Sequence, residues 1–363
     1  MAPKAFLVRG GAGRAVCRAA LALAVVLLYA LGALGVFSTN AMRYLLQIFL
    51  YVALGQAWNL LSGFSGMTSL GQQLYVGLAG YTVAVVTSTW GGSPFLGLAA
   101  GALVSALAAV LLSRMLFRIR GMYFAIATWV AAEAMEKLFL NWKFTNQGSG
   151  MTIRIVPYPT TGQIYLIALT VCCGAVALVY GVTRSRMGLG LMAMRDDVEA
   201  ARVTGVNLSR LRLTVYVLAA MISALAGGVF FINKGVIYPD SGFSVGWTVS
   251  AVFICIIGGT GTLTGPVAGA ALYVLLREYL AHYPGWSNIL LGVITLFVIF
   301  FMPDGIVGPL QKRTRLALPS HRRSASASMM SNMGSPPDTA RMSIRWKWSM
   351  MSRSVKLLAR KAR

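Results

Sequence analysis

Residues 213–232 read LTVYVLAAMISALAGGVFFI, twenty residues without one charge. As an α-helix such a run covers about 30 Å, the thickness of a bilayer's hydrocarbon. Comparable apolar runs lie at about 19–37, 44–62, 74–90, 95–113, 122–140, 164–182, 243–259, 264–281 and 288–302. The expected fold is an all-α, polytopic membrane helix bundle with about ten candidate spans. The third, eighth and ninth are rich in Gly and border Gly-rich turns, so broken or re-entrant helices are expected among them.

Composition agrees. Of 363 residues, 57% are hydrophobic and 11% charged, where a soluble domain carries about a quarter charged. Most of the surface therefore does not face water. The net charge of +23 would suggest nucleic acid in a soluble chain. Here the gathering of Lys and Arg in cytoplasmic loops explains it, and no nucleic-acid partner is expected. Cys17, Cys172, Cys173 and Cys255 fall in or beside apolar runs and read as packing residues. Two distant histidines make no metal cluster, so no metal and no cofactor are expected.

With the N-terminus inside, Arg43, Lys143, Arg154 and Lys234 fall on outer segments, and Lys137 and Arg277 within spans. Every other Lys and Arg falls on an inner segment, which places both termini in the cytoplasm. The first run is read as a retained span, against a cleaved signal peptide. Residues 1–310 read as a transmembrane domain. Residues 311–363 read as a basic, disordered tail, either solvated or with its end lying on an anionic membrane surface.

The longest inner loop, 183–212, reads TRSRMGLGLMAMRDDVEAARVTGVNLSRLR. Asp196, Asp197 and Glu199 are expected to start a short helix, Ala200 and Ala201 to continue it, and Gly205 to end it. Spacing alone leaves two readings, an ordinary loop or a helix that docks on a partner. Gly63, Gly66 and Gly71 form one interruption between apolar runs, and Gly258, Gly259, Gly261 and Gly265 another. Close helix packing and the lining of a transport path are the alternatives there. For the Ser69–Gln73 turn, path lining leads. Glu133 with Lys137, and Arg277 with Glu278, are expected to be local ion pairs at helix ends.

Glu199-Ala200-Ala201 followed after three residues by Gly205 is similar to the EAA-x3-G loop of ABC importer permeases. The surrounding RSRMGLGLMAMRDDVEAARVTGVNLSRLRL resembles the branched-chain amino-acid permease family in particular. WNLLSGFSGMTSLGQQLYVGLAGYTVA (58–84), FRIRGMYFAIATWVAAEAMEKLFLNWKFTNQGSGM (117–151), IIGGTGTLTGPVAGAAL (256–272) and MPDGIVGPL (302–310) extend the resemblance in order over roughly 40–310. It implies a subunit of an ATP-driven importer in a bacterial inner membrane. Its partners would be a second permease subunit, two cytoplasmic ATP-binding subunits and a periplasmic substrate-binding protein. The cargo would be branched-chain or other hydrophobic amino acids; relatives carry urea, short amides or aromatic acids. The resemblance assigns coupling to Asp196, Glu199, Ala200, Ala201 and Gly205. Ser69, Gly71, Gln72, Gln73, Thr128, Gly258 and Gly261 are the candidate path residues. Two departures bear on cargo: Gln72 stands where many members have His, and Met122 where Asp or a small residue is usual.

The dipeptide Gly-Lys never occurs, so the chain holds no P-loop and is not itself the ATPase. An intramembrane enzyme is disfavoured, since neither H-E-x-x-H nor G-x-S-x-G is present. A secondary transporter would need more buried ionisable coupling groups than the spans contain.

Overall fold

The Ser38 hydroxyl accepts from the Ala41 amide at 3.3 Å and opens helix α1 (Thr39–Trp58), pairing one of the donors a helix start leaves free. The helix then widens into a π-helical turn, Asn59–Phe64. The chain folds through residues 65–71 into α2 (Gln72–Ser88). There follow α3 (Pro94–Leu116), α4 (Met122–Asn141), α5 (Thr161–Arg184), α6 (Arg186–Asp196) and α7 (Val198–Val203). The last elements are α8 (Leu208–Lys234), α9 (Pro239–Gly242), α10 (Gly246–Gly258) and α11 (Gly265–Leu280). This computed structural model describes residues 26–32, 34, 38–119, 121–155, 158–203, 207–280 and 292–293.

Each candidate span from 44–62 to 264–281 coincides with a helix. The run 19–37 contributes helical residues 26–32. The run 288–302 and the tail 311–363 lie outside the described residues, apart from 292–293. Among the described residues, length and apolarity suffice for crossing a membrane in five stretches: Thr39–Phe64, Pro94–Leu116, Thr161–Arg184, Leu208–Lys234 and Pro239–Gly258. The other three candidates that lie on described helices fall short for visible reasons. Helices α2 and α11 have 17 and 16 residues, below the roughly 20 needed. Helix α4 carries Glu133, Glu136 and Lys137. The molecule is an all-α membrane protein, and the described helices bear out the bundle without establishing ten crossings.

Helix α1 is a hub. Every residue from Phe49 to Trp58 is buried, against α5, α8, α10 and α11. Helix α2 is sandwiched between α3 and α8, and small residues set the distance. A β-carbon on Gly101 of α3 would lie 3.1 Å from Ala79 Cα, and one on Gly227 of α8 would lie 2.7 Å from Val76 Cα. On α3, Gly97, Gly101, Ser105, Ala109 and Ser113 recur every fourth residue and are buried. Leu96, Leu103, Leu107, Leu111 and Met115 are exposed on the same helix. Large residues outward and small ones inward is the pattern of a helix in lipid, where close backbone approach replaces hydrophobic burial as the packing force.

Two strands, β1 (Met151–Thr152) and β2 (Val236–Ile237), pair antiparallel with Met151 opposite Ile237. They tie the segment after α4 to the end of α8. Nearby, the Tyr158 hydroxyl donates to the Ile232 carbonyl, and burial raises its pKa.

Candidate functional site

The two glycine-bearing interruptions meet. Gln56 and Asn59, one turn apart at the end of α1, reach the turn between α10 and α11. Gln56 Nε2 donates to Leu263 O at 2.7 Å. Asn59 Nδ2 donates to Thr262 O at 2.8 Å, and its Oδ1 accepts from the Gly261 amide at 2.8 Å. Gly261 has φ +71°, a left-handed conformation that glycine takes freely. A β-carbon on Gly63 would lie 2.6 Å from Gly261 N, so the turns touch backbone to backbone. From the 183–212 loop, Arg195 Nη1 donates to Gly63 O at 2.6 Å. Gly258 packs under the same turn, where a β-carbon would meet Gly265 O at 1.9 Å.

A second polar cluster surrounds the start of α2. Ser69, Gln72, Gln73 and Thr128 are all buried. The Leu70 amide donates to Thr128 Oγ1 at 3.0 Å, and the Gln72 amide to Thr248 Oγ1 at 3.1 Å. Thr248 donates to Gln73 Oε1, and Ser223 to Gln72 Oε1. Trp58 Nε1 donates to Ser69 O at 2.9 Å. Gly71 lies against the backbone of Thr128, where a β-carbon would be 2.5 Å from the carbonyl oxygen. Gln72 Nε2 and Gln73 Nε2 are buried without a hydrogen-bond partner. Ser69, Gly71, Gln72, Gln73 and Thr128 thus form one constellation, packed inside this chain. Gly258 and Gly261 belong to the Asn59 junction.

Sequence reasoning missed the partners. Gln56, Asn59, Ser223 and Thr248 were not singled out, and Arg195 was read without a role. Gln56 and Asn59 carried a signal, since uncharged polar side chains inside an apolar run need partners there.

The 183–212 loop departs from its expected form. It holds two helices, α6 and α7, broken at Asp197. Asp196 ends α6 and does not start the second helix. Asp197 sits between them in extended conformation, and its Oδ1 accepts from the Glu199 amide at 2.8 Å. Its carboxylate thus does the N-terminal work expected of the acidic run. Glu199 is exposed and engages Arg202 at 3.3 Å. Ala201 is buried, Ala200 lies within α7, and Gly205 lies outside the described residues. Arg186, Leu189, Ala193 and Arg210 line an open groove of about 560 Å³ between α6 and α8.

Neither expected ion pair forms as drawn. Lys137 pairs with its neighbour Glu136 at 2.9 Å, while Glu133 accepts from Trp129 Nε1 at 3.1 Å. Lys137 turns to its neighbour in sequence, and Glu133 to the residue one turn back rather than one turn on. Arg277 and Glu278, adjacent in sequence, diverge as i,i+1 residues of a helix must. Arg277 donates to the Tyr51 hydroxyl.

These features match a known family. The family model described as "Branched-chain amino acid transport system / permease component" matches residues 40–301. The high-affinity branched-chain amino acid transport system permease protein LivM of Salmonella typhimurium is 25% identical over 288 residues, 71% of this chain and 68% of that protein. The fructose import permease protein FrcC of Rhizobium meliloti is 29% identical over 157 residues, 41% of this chain and 42% of that protein. The branched-chain permease protein LivH of Escherichia coli K12 is 28% identical over 134 residues, 36% of this chain and 43% of that protein. No solved structure matches. The match over residues 40–301, most of the chain, shows that this chain belongs to the branched-chain amino acid transport system permease family.

Proposed function

We propose that the chain is one permease subunit of an ATP-driven importer for branched-chain or other hydrophobic amino acids. The match over 40–301 carries this reading. The resemblance of LivM and LivH to this chain, both of them branched-chain permease proteins, favours assembly with a second, different permease subunit. Two cytoplasmic ATP-hydrolysing subunits and a periplasmic binding protein complete the machine, which sits in a bacterial inner membrane. The apolar runs support about ten spans, and the distribution of Lys and Arg supports cytoplasmic termini.

Helix α7 and the groove between α6 and α8 are the docking surface for an ATPase subunit. Its support is that Glu199 and Arg202 are exposed on a short helix held by Asp197. The Ser69–Gln73 turn with Thr128 borders the path. Its support is the buried, unpartnered Nε2 groups of Gln72 and Gln73, donors that cost free energy until a solute or water meets them.

The test is uptake into proteoliposomes holding the chain, its second permease, the ATPase and the binding protein. Labelled leucine should accumulate with ATP, and not when the ATPase carries an inactivating substitution. Glu199→Lys and Gly205→Val should insert at normal levels yet abolish uptake. Leucine uptake that persists without ATP hydrolysis would show a secondary transporter.

A further inference from the structure

Arg195 belongs to α6, yet its side chain works elsewhere. Its guanidinium donates to the carbonyl of Gly63, next to last in the π-helical turn that ends α1. A helix end leaves carbonyls unpaired and carries a partial negative charge, so a cation there is favourable. The room for this side chain is made by missing side chains. A β-carbon on Gly66 would lie 3.3 Å from Arg195 Cα, and one on Gly261 would lie 2.8 Å from Nη1. Gly261 lies in the turn that follows α10, and Asn59 grips that turn from the other side. One guanidinium therefore rests against the ends of two interrupted helices, α1 and α10. A single extended residue, Asp197, joins its own helix to α7.

We propose that Arg195 is a positioning residue that transmits displacement of α6 and α7 to the two glycine turns. This rests on the reading of the chain as an ATP-driven importer subunit. Three properties suit the residue to the task. A charge-assisted bond to a backbone carbonyl is strong and moves the main chain, where a bond to a side chain would only reorient a rotamer. Asn59 locks the Gly63 turn to the Gly261 turn, so a pull on one is a pull on both. The guanidinium is planar and holds its donors in a rigid fork, so the direction of its bond to Gly63 is fixed by geometry.

The test uses the complete transporter in proteoliposomes and reads ATP hydrolysed per solute imported. Arg195→Gln should raise that ratio at least about tenfold, the scale of one charge-assisted hydrogen bond, while the subunits still co-purify. Arg195→Lys keeps a charge and a donor, and should recover most of the coupling. Gly261→Ala crowds Nη1 and strains the backbone, and should reproduce the Arg195→Gln ratio. A second readout is independent of transport: amide exchange across 259–264 should accelerate in Arg195→Gln. If the wild-type chain shows no ATP-dependent uptake, the importer reading falls, and the exchange rates still decide whether Arg195 governs the turns. A wild-type ratio or unchanged exchange in Arg195→Gln overturns the proposal. Equal loss of co-purification in the Gln and Lys variants also overturns it, in favour of a plainly structural arginine.

Discussion

Asn59 shows what one amide can hold. It satisfies the Gly261 amide and the Thr262 carbonyl, both in a turn with no ladder of its own. Asn59→Leu matches it closely in size and leaves both backbone groups unpaired. Both groups are part-buried and a fully buried orphan costs about 1–3 kcal/mol, so the variant should melt below wild type in detergent, by light scattering or tryptophan fluorescence. Gly71→Ala should be worse tolerated than its size suggests. Its β-carbon would meet the Thr128 carbonyl at 2.5 Å, and main chain cannot rotate away as a side chain can. Reduced yield of folded protein, compared with Gly174→Ala where nothing lies within 4 Å, is the expected outcome. The polar residues themselves were visible in the sequence. Their partners were not: Asn59 and Gly261 stand 202 positions apart, and no periodicity reports on which turn a side chain will meet.

At the scale of elements, α3 makes the sharpest contrast. Gly101 faces Ala79 across the α2 contact, and Leu107 is exposed on the same helix. Gly101→Leu should cost about 1–3 kcal/mol or more by overpacking, whereas Leu107→Phe should stay within about 0.5 kcal/mol. Thermal melts of both variants in one detergent decide it. Existence and order of the helices were legible because an apolar run in a membrane chain has few alternatives to a helix. Interruptions were legible as glycines. The break at Asp197 was not, since Met194-Arg195-Asp196-Asp197-Val198-Glu199 reads equally well as one helix start. Only the extended backbone at Asp197 divides α6 from α7. The ion pairs failed for a related reason. Spacing names every partner a turn away, and the choice among Trp129, Glu136 and Lys137 belongs to side-chain geometry.

For the whole molecule, the orientation proposed above puts α6 and α7 in the cytoplasm and the segment between α4 and α5 outside. A chain stripped of its native cysteines tests it. Ser149→Cys and Leu189→Cys both lie at exposed positions. A membrane-impermeant thiol reagent added to intact cells should modify the first and spare the second, and the reverse would invert the orientation. The pair α10–α11 has a bearing on this count. Helix α10, at 13 residues, is about 20 Å long, and the chain turns back through 259–264 into α11. Suppose the pair crosses fully, or suppose it dips in and returns. The chain leaves Leu280 on the face where it entered at Gly246 in both cases. Parity is conserved, so the sidedness of everything downstream is indifferent to depth, and a tally of charges can be right about orientation while blind to it. Depth needs its own probe. Thr260→Cys, at the exposed tip of the turn, answers from the α6 face if the pair crosses and from neither face if it dips.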